Sequence, residues 1–414
     1  MMISDPGGAD LKGGDGLPQD PATLVARMVG GALGFPFKSA YLRPPEEYFS
    51  NLRRFNYVTV SDSPYIARMR GARGRGARGR RARGRGSVRM ATARTPWGFD
   101  RREISLVVGD GAFEAVDQLT DHFTEKARMA ANVRGSPAPL AAWRDPDIAA
   151  AIVETAVSTC RRAGGLTLYD LREACYEEVP ECTLFKISLA KEIYRFFNAE
   201  RVLDPFGGWG DRGLGAAGAG VARYVGVDPN PALDEGYARI VDFVGREAPE
   251  VKISYRALPI EAYGPAEYEE DFPDGPPTLA FSSPPFYDYE IYSDDPRQSV
   301  SAGRNVTLEG WLRDWFFPAL DRVWGALAPR GHLALYLTDK RGEVTAPLCD
   351  FMADKGRRFR GVVACRRGTK RPLPLWVWQK GADEAAAVPP PAAAPQTMDE
   401  YASALLEEIY AEMR

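Results

Sequence analysis

Residues Leu203–Gly215 read LDPFGGWGDRGLG. A short apolar run, RVLDPF, enters a turn crowded with glycine, and a stretch of small residues follows. That order is strand, tight turn, helix. Working outward, ARYVGVD predicts a second strand, VKISYRAL a third and PTLAFSS a fourth. TLEGWLRDWFFPALDRVWGAL has the spacing of a long amphipathic helix, and GHLALYLTD predicts a fifth strand. RFRGVVACRRG and PLWVWQK are expected to close the region as a hairpin. Alternation of strand and helix predicts an open, mainly parallel α/β sheet of Rossmann-like type.

The turn contains a literal GxGxxG at Gly208, Gly210 and Gly213. Alone, that spacing serves nicotinamide-binding and adenosylmethionine-binding sheets alike. Asp228, at the end of the next strand, sits where an acid would meet a ribose, which also suits both. Asp204 separates them. A carboxylate at the strand end, just before the glycines, repels a pyrophosphate, which prefers the bare amides of a helix N-terminus. It suits a ligand with a cationic amino-acid end, and S-adenosylmethionine carries an ammonium and a sulfonium. The plain alternative is an Asp that caps the following helix.

DPFGGWG resembles the DPFxGxG cofactor loop of class I S-adenosylmethionine-dependent amino-methyltransferases, which modify adenine or cytosine. The matching residues are Asp204, Pro205, Phe206, Gly208 and Gly210. YVGVDPNP resembles the second motif, with Asp228 in the place of the ribose-binding acid. ALPIEAY is similar to the third, which implies that Glu261, or the backbone beside it, lies near the cofactor adenine. FKISLAK resembles the segment that packs by the methionine end. The resemblance implies a seven-stranded methyltransferase sheet. It covers about residues 183–380 and is nearest to the cap-adenosine N6-methyltransferase group and its relatives in large DNA viruses.

The fourth strand ends in Ser282-Ser283-Pro284-Pro285-Phe286, which resembles the (D/N/S)PP(Y/F/W) motif of the same enzymes. An exocyclic amine is a poor nucleophile because its lone pair is delocalised into the ring. Two acceptors for its hydrogens turn it toward tetrahedral geometry. Ser283 would supply one and the backbone carbonyl of Pro284 the other. Consecutive prolines fix φ, and Pro285 holds the residue before it extended. Phe286 would offer a face for stacking on a base taken out of its stack. Catalysis of this kind is mostly orientation. In isolation, Pro-Pro after a strand is a turn with a core phenylalanine. Ser283 stands where Asp is commonest for N6-adenine enzymes and Ser for N4-cytosine ones, so both bases stay open, with N6-adenine favoured by motif order.

The net charge of −3 hides an asymmetry. RMRGARGRGARGRRARGRGSVR, residues 68–89, holds ten arginines and no acid, so the rest carries −3 − 10 = −13. Arg-Gly units cannot bury a core, and a disordered insertion is expected. It would serve as a phosphate-binding arm, or be a low-complexity expansion with no role. Residues 1–22 are expected to be a disordered N-terminus and 23–182 a mostly helical region containing the insertion. Residues 183–381 would form the methyltransferase domain, 382–396 an Ala/Pro linker, and 397–414 an amphipathic helix docking on this chain or a partner. His122 falls within an expected helix and reads as an ordinary packed or surface histidine.

The first residues have neither a basic nor an apolar segment of the kind a secretory signal needs. No apolar run approaches the ~18–20 residues of a membrane span. Five cysteines without CxxC spacing and two histidines predict free thiols and no metal site. The expectation is an intracellular (cytoplasmic or nuclear) enzyme with S-adenosyl-L-methionine as cofactor and RNA or DNA as substrate, without membrane or metal. Two other readings are a nicotinamide dehydrogenase, which leaves Asp204 and Ser-Pro-Pro-Phe unexplained, and a non-catalytic nucleic-acid-binding protein that retains the fold.

Overall fold

The computed structural model describes residues 17–18, 20–61, 104–109, 111–133, 135–160, 165–285, 287, 290–292, 307–337, 342–367 and 373–386. The Arg/Gly segment 68–89, residues 1–16, most of the linker 382–396, the segment 397–414 and Phe286 lie outside them. The chain divides into two units. One comprises Met1–Tyr41 with Arg128–Cys182, and the other Leu42–Ala127 with Thr183–Arg414. Residues 23–182, expected as one region, are thus divided between the two.

The sheet's strands are β1 Val58–Ser61, β2 Ile104–Val108, β3 Arg201–Asp204, β4 Arg223–Val227, β5 Lys252–Arg256, β6 Leu279–Ser282, β7 His332–Tyr336, β8 Arg358–Arg367 and β9 Leu373–Gln379. The longer helices are α1 Pro21–Val29, α2 Pro45–Arg54, α3 Asp121–Ala130, α4 Pro146–Thr159, α5 Leu168–Glu178, α6 Ile187–Phe196, α7 Asp211–Ala219, α8 Asp234–Glu247, α9 Phe317–Ala326 and α10 Thr345–Asp354.

The unit built from residues 1–41 and 128–182 is helical. Asp20 caps α1 through the Thr23 N–H (2.8 Å), and Asp145 caps α4 through Ile148 (3.1 Å). Thr167 and Asp170 close a capping box at the start of α5, satisfying two orphan N–H groups. Leu24, Met28, Ile152, Val153, Leu171 and Cys175 form its core around Trp143. The Trp143 indole N–H donates to the Leu33 carbonyl (3.0 Å).

The other unit holds the sheet, in the order β1–β2–β8–β9–β7–β6–β3–β4–β5. From β5 through β4, β3 and β6 to β7 every pairing is parallel. The hairpin β8–β9 then joins antiparallel to β7. The α/β fold and the seven strands read from the sequence are all present. The expectation of seven strands, mainly parallel, is corrected. The sheet among the described residues has nine strands and is mixed. The extra pair comes from the region 23–182, expected to be mostly helical. Leu106 and Val108 are buried in β2, which pairs in parallel with β8 (Cys365 opposite Leu106), and β1 pairs antiparallel outside it. Without them β8 would present an apolar edge with unpaired N–H and C=O groups.

Both faces of the parallel strands are covered, so their sequences are apolar throughout instead of alternating. Val202, Tyr224 and Leu279 pack in the cluster that includes α6 and α7, while Leu203, Val225 and Ala280 join the cluster of α9 and α10. Gly215 lets α7 close on α6, because a Cβ there would stand 2.6 Å from that of Ala190.

Candidate active site

β3 and β6 are neighbours in parallel register, with Val202 opposite Leu279 and Leu203 opposite Ala280. The register brings the ends of LDPFGGWG and of Phe281-Ser282-Ser283-Pro284-Pro285 side by side at the carboxyl edge of the sheet. Asp204 and Ser282 lie 78 residues apart in sequence, and the Ser282 hydroxyl ties the two ends together, close to Asp204 Oδ1 (2.6 Å) and, at longer range, the Phe206 carbonyl (3.4 Å).

The turn after β3 is held from several sides. Gly207 N–H donates to the Val227 carbonyl (2.8 Å), and Gly208 N–H to Asp228 Oδ2 (2.8 Å). Gly210 caps α7 at φ +92°, in the left-handed region, where only glycine sits without strain. Three tyrosines support the turn. Tyr237 and Tyr255 stack at 3.9 Å with their rings nearly parallel, and Tyr224 meets Tyr255 edge-on at 5.8 Å. The Tyr237 hydroxyl donates to the Gly208 carbonyl, and that of Tyr255 to the Gly210 carbonyl (3.3 Å).

Asp228 lies at the end of β4, half-buried. Oδ1 accepts from Asn230 N–H (3.0 Å) and Oδ2 from Gly208. Burial pushes its carboxyl up to about 6, against the pull of those two donors. Each carboxylate oxygen has a second lone pair, so Asp228 can still accept two hydroxyl hydrogens.

Asp204 is placed otherwise than expected. It is fully buried, and both oxygens are bonded within the protein. Oδ2 accepts from Arg212 Nε (2.7 Å) and the Tyr224 hydroxyl (2.6 Å). Oδ1 accepts from Ser282, Arg212 Nη2 (3.3 Å) and Phe206 N–H (3.4 Å). No oxygen is left for a ligand's ammonium, and the reading of Asp204 as a direct contact is revised to that of a buried counter-ion. Its proximity pushes Arg212 further up, against desolvation. Arg212, Tyr224 and Ser282 were not singled out from the sequence. Arg212 stands one residue into the helix after the motif, and that adjacency was the available signal.

The remaining site residues fall as follows. The Ser283 hydroxyl donates to the Tyr336 carbonyl (3.1 Å). Pro284 is buried and Pro285 half-buried. Phe206 packs against Trp315 at 5.6 Å, and the Trp315 indole N–H donates to Glu261 Oε1 (3.0 Å). Phe185 of FKISLAK lies beside the site, its N–H donating to Asp211 Oδ2 (3.3 Å) and its ring 5.7 Å from the Arg212 guanidinium. His122 packs against Tyr48, and burial lowers its pKa. Among the described residues no group of three His, Cys, Asp or Glu is placed to hold a metal ion, and no helix is long and apolar enough to cross a membrane.

No protein-family model matches the chain, and no curated protein does. Solved structures match about half of it. TrmN from Thermus thermophilus is 18% identical over 47% of this chain and 49% of its own, at a TM-score of 0.31. A methyltransferase from Pyrococcus furiosus is 14% identical over 49% of this chain and 86% of its own, at 0.33. The branched-chain polyamine synthase from Thermus thermophilus, solved with N4-aminopropylspermidine and 5'-methylthioadenosine, is 12% identical over 52% of this chain and 60% of its own, at 0.33. This chain thus spans about half the length of the first of them. Likenesses so distant carry no argument about activity, which has to come from the site.

Proposed function

We propose that this chain transfers a methyl group from S-adenosylmethionine to an exocyclic amine of a nucleobase in RNA or DNA, with N6 of adenine favoured. The observation that supports the reading is the juxtaposition of the glycine turn and the Ser-Pro-Pro turn, tied together through Ser282 and Asp204. The residues present fit the cofactor at two places. Gly208 and Gly210 carry no side chains and take positive φ in the turn, and Asp228 retains acceptor capacity suited to a ribose diol. Glu261 and Phe206 are proposed to border the adenine.

S-adenosylmethionine supplies a methyl group already activated on a sulfonium. The chain's own contribution is to hold the amine. Ser283 has a single hydroxyl hydrogen, and that hydrogen is committed to the Tyr336 carbonyl. Toward a substrate its oxygen can therefore only accept. Pro284 offers its carbonyl, and Pro285 has a ring-fixed φ, so this acceptor is held without further ordering. With both amine hydrogens engaged, the nitrogen lone pair localises and faces the methyl carbon. The cofactor would supply the methyl group, its carbon–sulfur bond breaking as the new carbon–nitrogen bond forms, and the proton the amine loses would pass to solvent.

Incubation with isotopically labelled cofactor and mixed RNA and DNA, followed by nucleoside mass spectrometry, tests the reading. The expected product is N6-methyladenosine or its deoxy form, and N4-methylcytosine is the other product the same spectrum reads. Ser283→Ala should lower the rate about 10- to 1000-fold, the range typical of losing one preorganised hydrogen-bonding group at a reacting centre. No methylated nucleoside from any substrate would refute the assignment.

A further inference from the structure

We propose that Arg212 recognises the carboxylate at the amino-acid end of the cofactor, with Asp204 as its buried counter-ion. The inference rests on the proposed use of S-adenosylmethionine.

A guanidinium has five N–H donors. In Arg212, Nε donates to Asp204, and Nη2 to Asp204 and to the Phe206 carbonyl. Nη1, with two hydrogens, has no hydrogen-bond partner among the described residues. The side chain is only 5% exposed. Nη1 is not among the buried atoms left without a partner, so it is the edge of this nearly buried group that remains accessible and can donate to an arriving ligand. The group lies directly beneath the glycine turn, since a Cβ on Gly208 would stand 3.5 Å from Nη2. Its other neighbour is the Phe185 ring. The guanidinium as a whole is therefore beside the cofactor turn and the segment expected by the methionine end.

Asp204 explains why an arginine can stay here. A lone buried cation would be expelled or would need an anion permanently, whereas paired with Asp204 the residue is neutral overall. It can then gain or release a ligand carboxylate without leaving a bare charge. The pair also fixes the fork's orientation, so the Nη1 edge faces one way. Lysine could not do this, because its ammonium lacks the planar fork. Asp211 and Asp228 stand nearby, so the surroundings beyond the pair are acidic. On charge alone they would favour the ligand with the greater positive charge.

That opposition makes the test diagnostic. S-adenosylmethionine and decarboxylated S-adenosylmethionine differ by the carboxylate only, and the second is the more cationic. Calorimetric titration of the full-length wild-type protein with each should show S-adenosylmethionine binding about 10- to 100-fold tighter, the range of a hydrogen bond to a charged group. In Arg212→Lys the preference should shrink. In the charge-balanced double variant Asp204→Asn/Arg212→Gln the ratio of the two affinities should fall to about one or below. Circular dichroism checks that each variant is folded, and the wild-type comparison stands without them. Equal affinities, or tighter binding of the decarboxylated ligand, would overturn the role of Arg212 and leave the cofactor reading intact. A preference that survives in both folded variants would overturn it too. If neither ligand binds the wild-type protein, the cofactor reading falls and this inference with it.

Discussion

Asp228 sits between two demands, and they have opposite signs in pH. Burial raises its carboxyl to about 6, so the folded chain binds that proton more tightly than the unfolded chain does. Its stabilising effect on the free protein is fully present below the unfolded value near 4 and is lost as pH rises through about 6. Binding of a ribose diol needs the other form, because only the carboxylate accepts on both oxygens. Affinity for S-adenosylhomocysteine should therefore weaken below pH ~6, by up to about tenfold per unit for a single linked proton. Asp228→Asn should bind more weakly at pH 8 and lose the pH dependence. Calorimetry between pH 5 and 8 reads both, and a flat wild-type profile would exclude Asp228 from the contact. At this scale the sequence exposed residues whose role depends on local backbone. Gly210 must take a positive φ, and Asp228 ends its strand one step past the buried run. The partners of Asp204 were hidden. Tyr224 and Ser282 reach it from neighbouring strands, 20 and 78 residues away, and only the register β6–β3–β4 makes them adjacent.

The turn and α7 form an element whose tolerance is set by the tyrosines above it. A Cβ on Gly213 would stand 2.0 Å from the Tyr255 hydroxyl oxygen and 2.9 Å from Ile253 Cδ1, closer than real atoms pack. Gly213→Ala should cost about 1–3 kcal/mol by overpacking, read as a lower urea midpoint with an unchanged slope. Removing the hydroxyl opens that space, so Gly213→Ala with Tyr255→Phe should recover part of the loss. Strict additivity of the two changes would show that the clash is not the cause. The strands of this element were legible because both faces of a parallel sheet are covered, which makes RVLDPF and PTLAFSS continuous apolar runs. β2 escaped the same reading. ISLVV is equally apolar, but it lies between the Arg/Gly segment and a long helical stretch. Its partner β8 is 259 residues further on (Cys365 opposite Leu106), so no local pattern announces the pairing. The two extra strands were beyond reach for that reason.

At the scale of the whole molecule the governing fact is charge distribution. Ten arginines within residues 68–89 face an otherwise acidic chain. A nucleic acid would be repelled by most of the protein's surface charge, so a polyanionic substrate needs a local cationic contact. The segment is tethered to the sheet unit, because β1 ends at Ser61 and β2 begins at Ile104. Each phosphate neutralised by an arginine releases counterions and adds about 0.7 to the slope of log affinity against log salt on a single strand. Deleting 68–89 should thus weaken RNA or DNA binding at low salt and flatten that slope by several units. Binding of S-adenosylhomocysteine should not change, because the glycine turn, Asp228 and Arg212 are built from other parts of the chain. Fluorescence anisotropy of a labelled oligonucleotide from 50 to about 200 mM salt separates the outcomes, since specific base contacts carry little salt dependence. An unaltered slope would mean that the arginines do not touch the phosphates, and the segment would then be a low-complexity expansion with no role in binding.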